Sequence, residues 1–216
     1  MRFKAVLFDL DGTLLNTIDD LTDSMNVVLK QWGFPEHDTE TFKYFVGDGM
    51  EDIVRRSLPE DQRDSDRISQ GMEAYSREYQ NRYAKKTQAY DGVQELLDGL
   101  TFQGIKLAIL SNKPHDSTVK MVEQLLGDWT FEPVFGVRPS VPKKPDPGAA
   151  LEAAELLRVE PKDILYLGDS NVDMLTARGA GMYAVGALWG FRTAEEILSG
   201  GAQVLVKHPA DILAWI

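Results

Sequence analysis

Asp9-Leu-Asp11-Gly12 sets two carboxylates two residues apart, just ahead of a glycine. In an extended backbone both would point to the same side, and the glycine lets the chain turn sharply behind them. Such a pair can divide labour, one carboxylate as nucleophile and the other as general acid and base. Standing alone, an Asp-x-Asp pair also makes a simple capped turn. Two further groups of polar residues could join it: Ser111-Asn112, and Asp169 with Asp173 in Gly168-Asp169-Ser170-Asn171-Val172-Asp173. Three or four carboxylates in one crevice repel one another, two of them about 4 Å apart by roughly 4 kcal/mol at an effective dielectric near 20. A hard divalent cation relieves that repulsion, and Mg²⁺ suits an all-oxygen site.

For these groups to converge, each must follow a strand of one sheet. The pattern provides this. Ala5–Phe8 runs into Asp9, Leu107–Leu110 into Ser111 and Ile164–Leu167 into Gly168; Tyr183–Val185 and Val204–Val206 are two more apolar runs. Continuous rather than alternating apolar runs predict strands buried on both faces, as in a parallel sheet. Helical spacing lies between them, at Val93, Leu96, Leu97 and Leu100, at Val119, Val122, Leu125 and Leu126, and over Ala149–Leu157 with Pro147 near its start. The fold class expected is α/β, a doubly wound, Rossmann-like parallel sheet whose ligands bind beyond the carboxyl ends of the strands.

One stretch departs from the alternation. Residues 17–86 show helical periodicity alone, with one apolar stripe at Leu21, Met25, Val28, Leu29 and Trp32 and another at Ile68, Met72, Tyr75 and Tyr79. That is too long for a single crossover. It predicts a small all-helical insert after the first strand, dividing the chain into a core of residues 1–16 and 89–216 and an insert of residues 17–88.

Asp9-Leu-Asp11-Gly12-Thr13-Leu14 resembles the opening signature of the haloacid dehalogenase superfamily of aspartyl-phosphate phosphatases, and three more motifs follow in order. Ser111-Asn112-Lys113 resembles the second, Lys144 in Lys143-Lys144-Pro145-Asp146-Pro147 the third, and Gly168 to Asp173 the acidic fourth. The resemblance implies that Asp9 becomes phosphorylated and that Asp11 protonates the leaving oxygen, then deprotonates the hydrolytic water. It implies Mg²⁺ held by the side chains of Asp9 and Asp169 and the backbone carbonyl of Asp11. Ser111, the amide of Asn112 and Lys144 would bind the phosphoryl oxygens, with Gly12 close by. Asp173, with Ser170 beside it, would orient Lys144 or a metal-bound water. Lys144 directly precedes Pro145, as in the family pattern, so Lys143 is the solvated neighbour. Lys113 could line the entrance or stand exposed at a helix start.

The helical insert resembles the small cap of the superfamily's first cap class, hinged near Leu15–Thr17 and Gln88–Gly92, with Asn16 where many relatives carry Asp. Gly47-Asp48-Gly49 with Arg55 and Arg56 resembles the cap loop of phosphoglycolate phosphatases, as do the Ser111–Pro114 and Lys144–Pro147 motifs and Trp189-Gly190-Phe191. In that reading the glycines let backbone amides approach a small anion and Arg55 meets its carboxylate; otherwise the glycines start a helix and the arginines are solvated. The implied activity is Mg²⁺-dependent hydrolysis of a small phosphate ester, 2-phosphoglycolate first. Pyrophosphate, a nucleoside monophosphate or a phosphomutase reaction are the alternatives. A receiver-type phospho-acceptor domain would need neither the insert nor the Asp-x-Asp-Gly-Thr opening.

Composition narrows the partners. The 216 residues include 34 acidic and 23 basic side chains, a formal charge of −11, which argues against nucleic acid or an anionic membrane as partner. There is no cysteine, so no disulfide, thiolate nucleophile or Cys-based metal site. His37, His115 and His208 show no ligand spacing. Arg2 and Lys4 precede too few apolar residues for a signal-peptide core, and Met182–Trp189 is too short to span a membrane, so a cytoplasmic location is expected.

Overall fold

The computed structural model describes residues 3–216; Arg2, used in the reading of the N-terminus, lies outside the described residues. The chain forms two compact units, Met1–Asn16 with Ala89–Ile216, and Thr17–Gln88. In chain order the strands are β1 (Ala5–Phe8), β2 (Leu15–Asn16), β3 (Gln88–Ala89), β4 (Lys106–Pro114), β5 (Phe131–Val137), β6 (Ile164–Gly168), β7 (Tyr183–Ala187) and β8 (Val204–Val206). The helices are α1 (Ile18–Gln31), α2 (Thr39–Lys43), α3 (Met50–Ser57), α4 (Ser65–Gln80), α5 (Val93–Phe102), α6 (His115–Leu125), α7 (Gly148–Leu157), α8 (Asn171–Gly179) and α9 (Ala194–Gly200). Among the described residues, no helix is long and apolar enough to cross a membrane.

The larger unit is built on a six-stranded sheet in the order β5-β4-β1-β6-β7-β8, parallel throughout. Every residue of β1 and β6 is buried, as continuous apolar runs require. One face, with Ala5, Leu7, Ala108, Leu110, Tyr166 and Ala184, packs on α7, α8 and α9 through Ala150, Ala153, Ala154, Met174, Ala177 and Ile197. The small side chains of α7 bring that helix close to the sheet. Register then sets the site. Phe8 lies opposite Ile109 on β4 and Leu167 on β6, so the chain leaving these three neighbouring strands emerges side by side at their carboxyl ends.

Two elements differ from the sequence reading. β5 carries Pro133 and the exposed Glu132, which break up its apolar run. It is an edge strand, where a missing N–H is tolerated. β4 continues past Leu110 through Ser111, Asn112 and Lys113 to Pro114, with a register shift against β5 over that stretch. Ser111 and Lys113 therefore belong to an irregular strand end rather than to a helix entry.

In the smaller unit, Leu21, Met25, Val28 and Leu29 of α1 are buried, as are Ile68, Tyr75 and Tyr79 of α4, and the two helices pack on each other. Gly71 of α4 admits Val54 of α3, whose methyl group would collide with any Cβ at that position. Asp20, 2% exposed, accepts hydrogen bonds from the amides of Lys86 (2.9 Å) and Thr87 (2.8 Å) and from the Thr87 hydroxyl (2.8 Å). The unit's first helix is thereby tied to its last residues.

Candidate active site

Asp9 continues the β1 ladder: its amide donates to the Leu167 carbonyl (2.9 Å), and the Leu10 amide donates to its Oδ1 (2.7 Å). The chain then folds back, Leu14 and Leu15 both donating to the Leu10 carbonyl, with Gly12 at φ +86°. Gly12 is required twice over, by that conformation and because a Cβ would strike the Asp169 carboxylate. Gly190 approaches Asp169 too, and a Cβ there would meet Asp169 and the Gly12 carbonyl. Asp169 is held between them by the Phe191 amide (2.7 Å) and the Thr13 hydroxyl (3.3 Å), and Trp189 Nε1 donates to the Thr13 carbonyl (2.9 Å). The Trp189-Gly190-Phe191 stretch thus serves to position a carboxylate.

Lys144 places Nζ 2.9 Å from Asp9 Oδ1 and 2.7 Å from Asp173 Oδ1, and is itself 3% exposed. Asp173 is fully buried in a capping box at the start of α8. Its Oδ2 accepts from the Ser170 hydroxyl (2.6 Å) and amide (3.1 Å), and its Oδ1 from the Tyr166 hydroxyl (3.4 Å). Gly168 permits this, since a Cβ there would collide with Asp173. Asn112 grips the Lys144 backbone, donating from Nδ2 to its carbonyl (3.0 Å) and accepting from its amide (2.9 Å). Ser111 is buried, and its hydroxyl accepts from the Lys113 amide (3.2 Å). Lys143 is exposed.

Ligand oxygens of Asp9, Asp169 and Asp173 lie within 4.8 Å of one another. Burial, reinforced by the charge of Asp173, pushes the Asp9 carboxyl well above the usual carboxylate range, against the pull of Lys144. The same two causes push Asp169 up to about 7, against the Phe191 amide. Burial also works against the Lys144 ammonium, yet Asp173 and Asp9 hold its pKa well above the usual lysine value. Three buried carboxylates with one close lysine are short of positive charge. An all-oxygen donor set with this deficit fits a hard divalent cation.

Asp11 turns its side chain to Lys113, whose Nζ lies 2.9 Å from Oδ2 and 3.2 Å from Oδ1. Lys113 is 8% exposed, which removes the reading of a solvated helix-entry lysine. The available signal was its spacing from Ser111, two residues along a strand and so on the same side. Tyr90 is a residue that sequence reasoning missed. Burial and the charges of Asp169 and Asp11 raise its hydroxyl pKa.

In the smaller unit, Gly47 (φ +122°) and Gly49 (φ +97°) flank Asp48, and Gly49 caps the start of α3. Asp48 pairs with Arg56 (2.5 Å), whose guanidinium also donates to the Tyr44 and Phe45 carbonyls (3.3 Å each). Arg55 is paired with Glu51 one turn earlier on an exposed face.

The profile of the haloacid dehalogenase-like hydrolases matches residues 6–187. A protein of Nitrosospira multiformis named phosphoglycolate phosphatase is 37% identical over 201 residues, 91% of this chain and 88% of its own. One of Chromobacterium violaceum with the same name is 31% identical over 214 residues, 98% and 95% of the two chains. A crystal structure from Lactobacillus delbrueckii subsp. bulgaricus, provisionally described as a phosphoglycolate phosphatase, superposes with a TM-score of 0.92 at 29% identity, covering 100% of this chain and 99% of its own. The chain belongs to the haloacid dehalogenase-like hydrolases and, within them, is similar to the phosphoglycolate phosphatases.

Proposed function

We propose that this phosphoric monoester hydrolase is Mg²⁺-dependent and converts 2-phosphoglycolate to glycolate and phosphate through an aspartyl phosphate. The observation carrying the reading is the buried Lys144 ammonium shared by Asp9 and Asp173 beside Asp169. It joins a nucleophilic carboxylate, a phosphate-binding cation and a charge deficit in one place.

Asp9 is the nucleophile. One carboxylate oxygen forms a bond to phosphorus as the bond from phosphorus to the ester oxygen breaks, and Asp11 gives that oxygen its proton. Asp11 then takes a proton from water, whose oxygen attacks phosphorus; the bond to Asp9 breaks and phosphate leaves. Lys144, Ser111 and the Asn112 amide bind the phosphoryl oxygens, and Asn112 and Asp173 fix Lys144. Asp9, Asp169 and the Asp11 carbonyl would hold Mg²⁺, which when bound would neutralise charge on the phosphoryl oxygens. Phosphoryl transfer asks mainly for positioning and charge. Residues 17–88 act as a cap that excludes water, moving at Leu15–Thr17 and Gln88–Gly92.

A panel of phosphate esters, with pyrophosphate and a nucleoside monophosphate included, tests this with Mg²⁺ and with chelator. Highest kcat/KM on 2-phosphoglycolate, lost with chelator, is expected; equal rates across the panel contradict the substrate assignment.

A further inference from the structure

Lys113 is a second buried lysine at the strand ends, and neither the attack on phosphorus nor the hydrolysis of the aspartyl phosphate uses it. Its burial has a built frame. Gly136 of β5 comes so close to the Lys113 backbone that a Cβ would strike the Lys113 carbonyl oxygen, and the Thr118 hydroxyl donates to the Pro114 carbonyl (3.1 Å). The strand end is therefore fixed between β5 and α6. Burying an ammonium is costly without a partner, and here the partner is Asp11 at 2.9 Å. That pairing defines a location. Asp11 is the group that must touch the ester oxygen, so the ammonium beside it stands where the next atoms of the leaving group go.

We propose that Lys113 determines specificity by binding an anionic group carried on the leaving alcohol, a carboxylate two bonds from the ester oxygen. The proposal rests on the phosphoglycolate reading and names the residue behind that choice of substrate. The other basic side chains named above have other commitments. Arg55 pairs with Glu51, Arg56 with Asp48 and two carbonyls, and Lys144 lies between Asp9 and Asp173. In a substrate of the form phosphate–O–CH₂–COO⁻, the carboxylate is near enough to the ester oxygen for Lys113 to serve it and Asp11 from one position, within hydrogen-bond distances of roughly 2.7–3.2 Å.

The test compares 2-phosphoglycolate with 2-hydroxyethyl phosphate, which is similar in size and lacks the carboxylate. It uses the full chain with Mg²⁺, in wild type, Lys113→Met and Lys113→Gln. Wild type is expected to prefer 2-phosphoglycolate. Both variants should reduce the ratio of kcat/KM values by about 10- to 100-fold, the loss expected for one hydrogen bond to a charged group, chiefly through a higher KM for 2-phosphoglycolate. The ratio is taken within one preparation, so a misfolded fraction cancels. Equal losses on both substrates, or complete loss on both in both variants, overturn the assignment and leave Lys113 as a positioning residue for Asp11. A wild-type enzyme indifferent to the carboxylate overturns the phosphoglycolate reading itself, and this assignment with it.

Discussion

Asn112 holds Lys144 from both sides of one residue, accepting from its amide at 2.9 Å and donating to its carbonyl at 3.0 Å. A flexible lysine is thereby anchored at its root, while its ammonium is fixed by Asp9 and Asp173. Asn112→Ala keeps the backbone amide but releases the grip. Misplacement of this kind can lower kcat by about 10- to 100-fold. Steady-state kinetics on 2-phosphoglycolate provide the check, and an unchanged kcat would show that Lys144 needs no such anchor.

The charge deficit predicts a pH-dependent stability that metal removes. Asp169 and Asp9 have carboxyl pKa values raised in the folded state. From about pH 4 to pH 7 the metal-free folded protein holds protons that the unfolded chain has already lost. Its stability therefore falls as pH rises through that window, by on the order of 1–4 kcal/mol. Denaturant unfolding in chelator across pH 4.5–7.5, a window of about three units that includes the raised Asp169 value of about 7, measures the slope. Saturating Mg²⁺ should raise stability and flatten the dependence, because it binds the ionised carboxylates.

Gly190→Ala inserts a methyl group against Asp169 and the Gly12 carbonyl, neither of which is the free end of a flexible chain. Overpacking there should cost about 1–3 kcal/mol of stability and displace Asp169. Activity should fall by more than about ten-fold, and a higher Mg²⁺ concentration should be needed for half-maximal rate. Thermal melts and a Mg²⁺ titration of the rate check both parts.

Asp20→Ala tests the tie between the first and last residues of the helical unit. The substitution leaves two amides and a hydroxyl without their acceptor in a buried place. A loss of about 2–4 kcal/mol is expected, read by chemical denaturation. Loss of under about 0.5 kcal/mol would show that water takes over the role.

The sequence revealed the sheet and its chemistry well because parallel strands write themselves as unbroken apolar runs, and because four polar motifs follow strand ends. β5 stayed hidden because an edge strand accommodates Pro133 and Glu132, which erase the run. Lys113 stayed ambiguous because local spacing says nothing of a carboxylate beyond the end of another strand; its partner Asp11 lies far away in sequence, and β1–β4 pairing brings the two together. Asp20 is by its position an ordinary first-turn helix acid, and its acceptor role depends on Lys86 and Thr87 at the far end of the insert. Arg55 illustrates the converse, since its Glu51 partner one turn away was readable from i,i+4 spacing.

Covalent phosphorylation of Asp9 is the central claim. Acid quench of a single turnover on 2-phosphoglycolate, followed by peptide mass analysis, measures it directly. The expected result is a substrate-dependent phosphoryl adduct on the peptide containing Asp9, absent from a folded Asp9→Asn variant that releases no phosphate. Phosphate release by Asp9→Asn at the wild-type rate, with no adduct in the wild type, would contradict it.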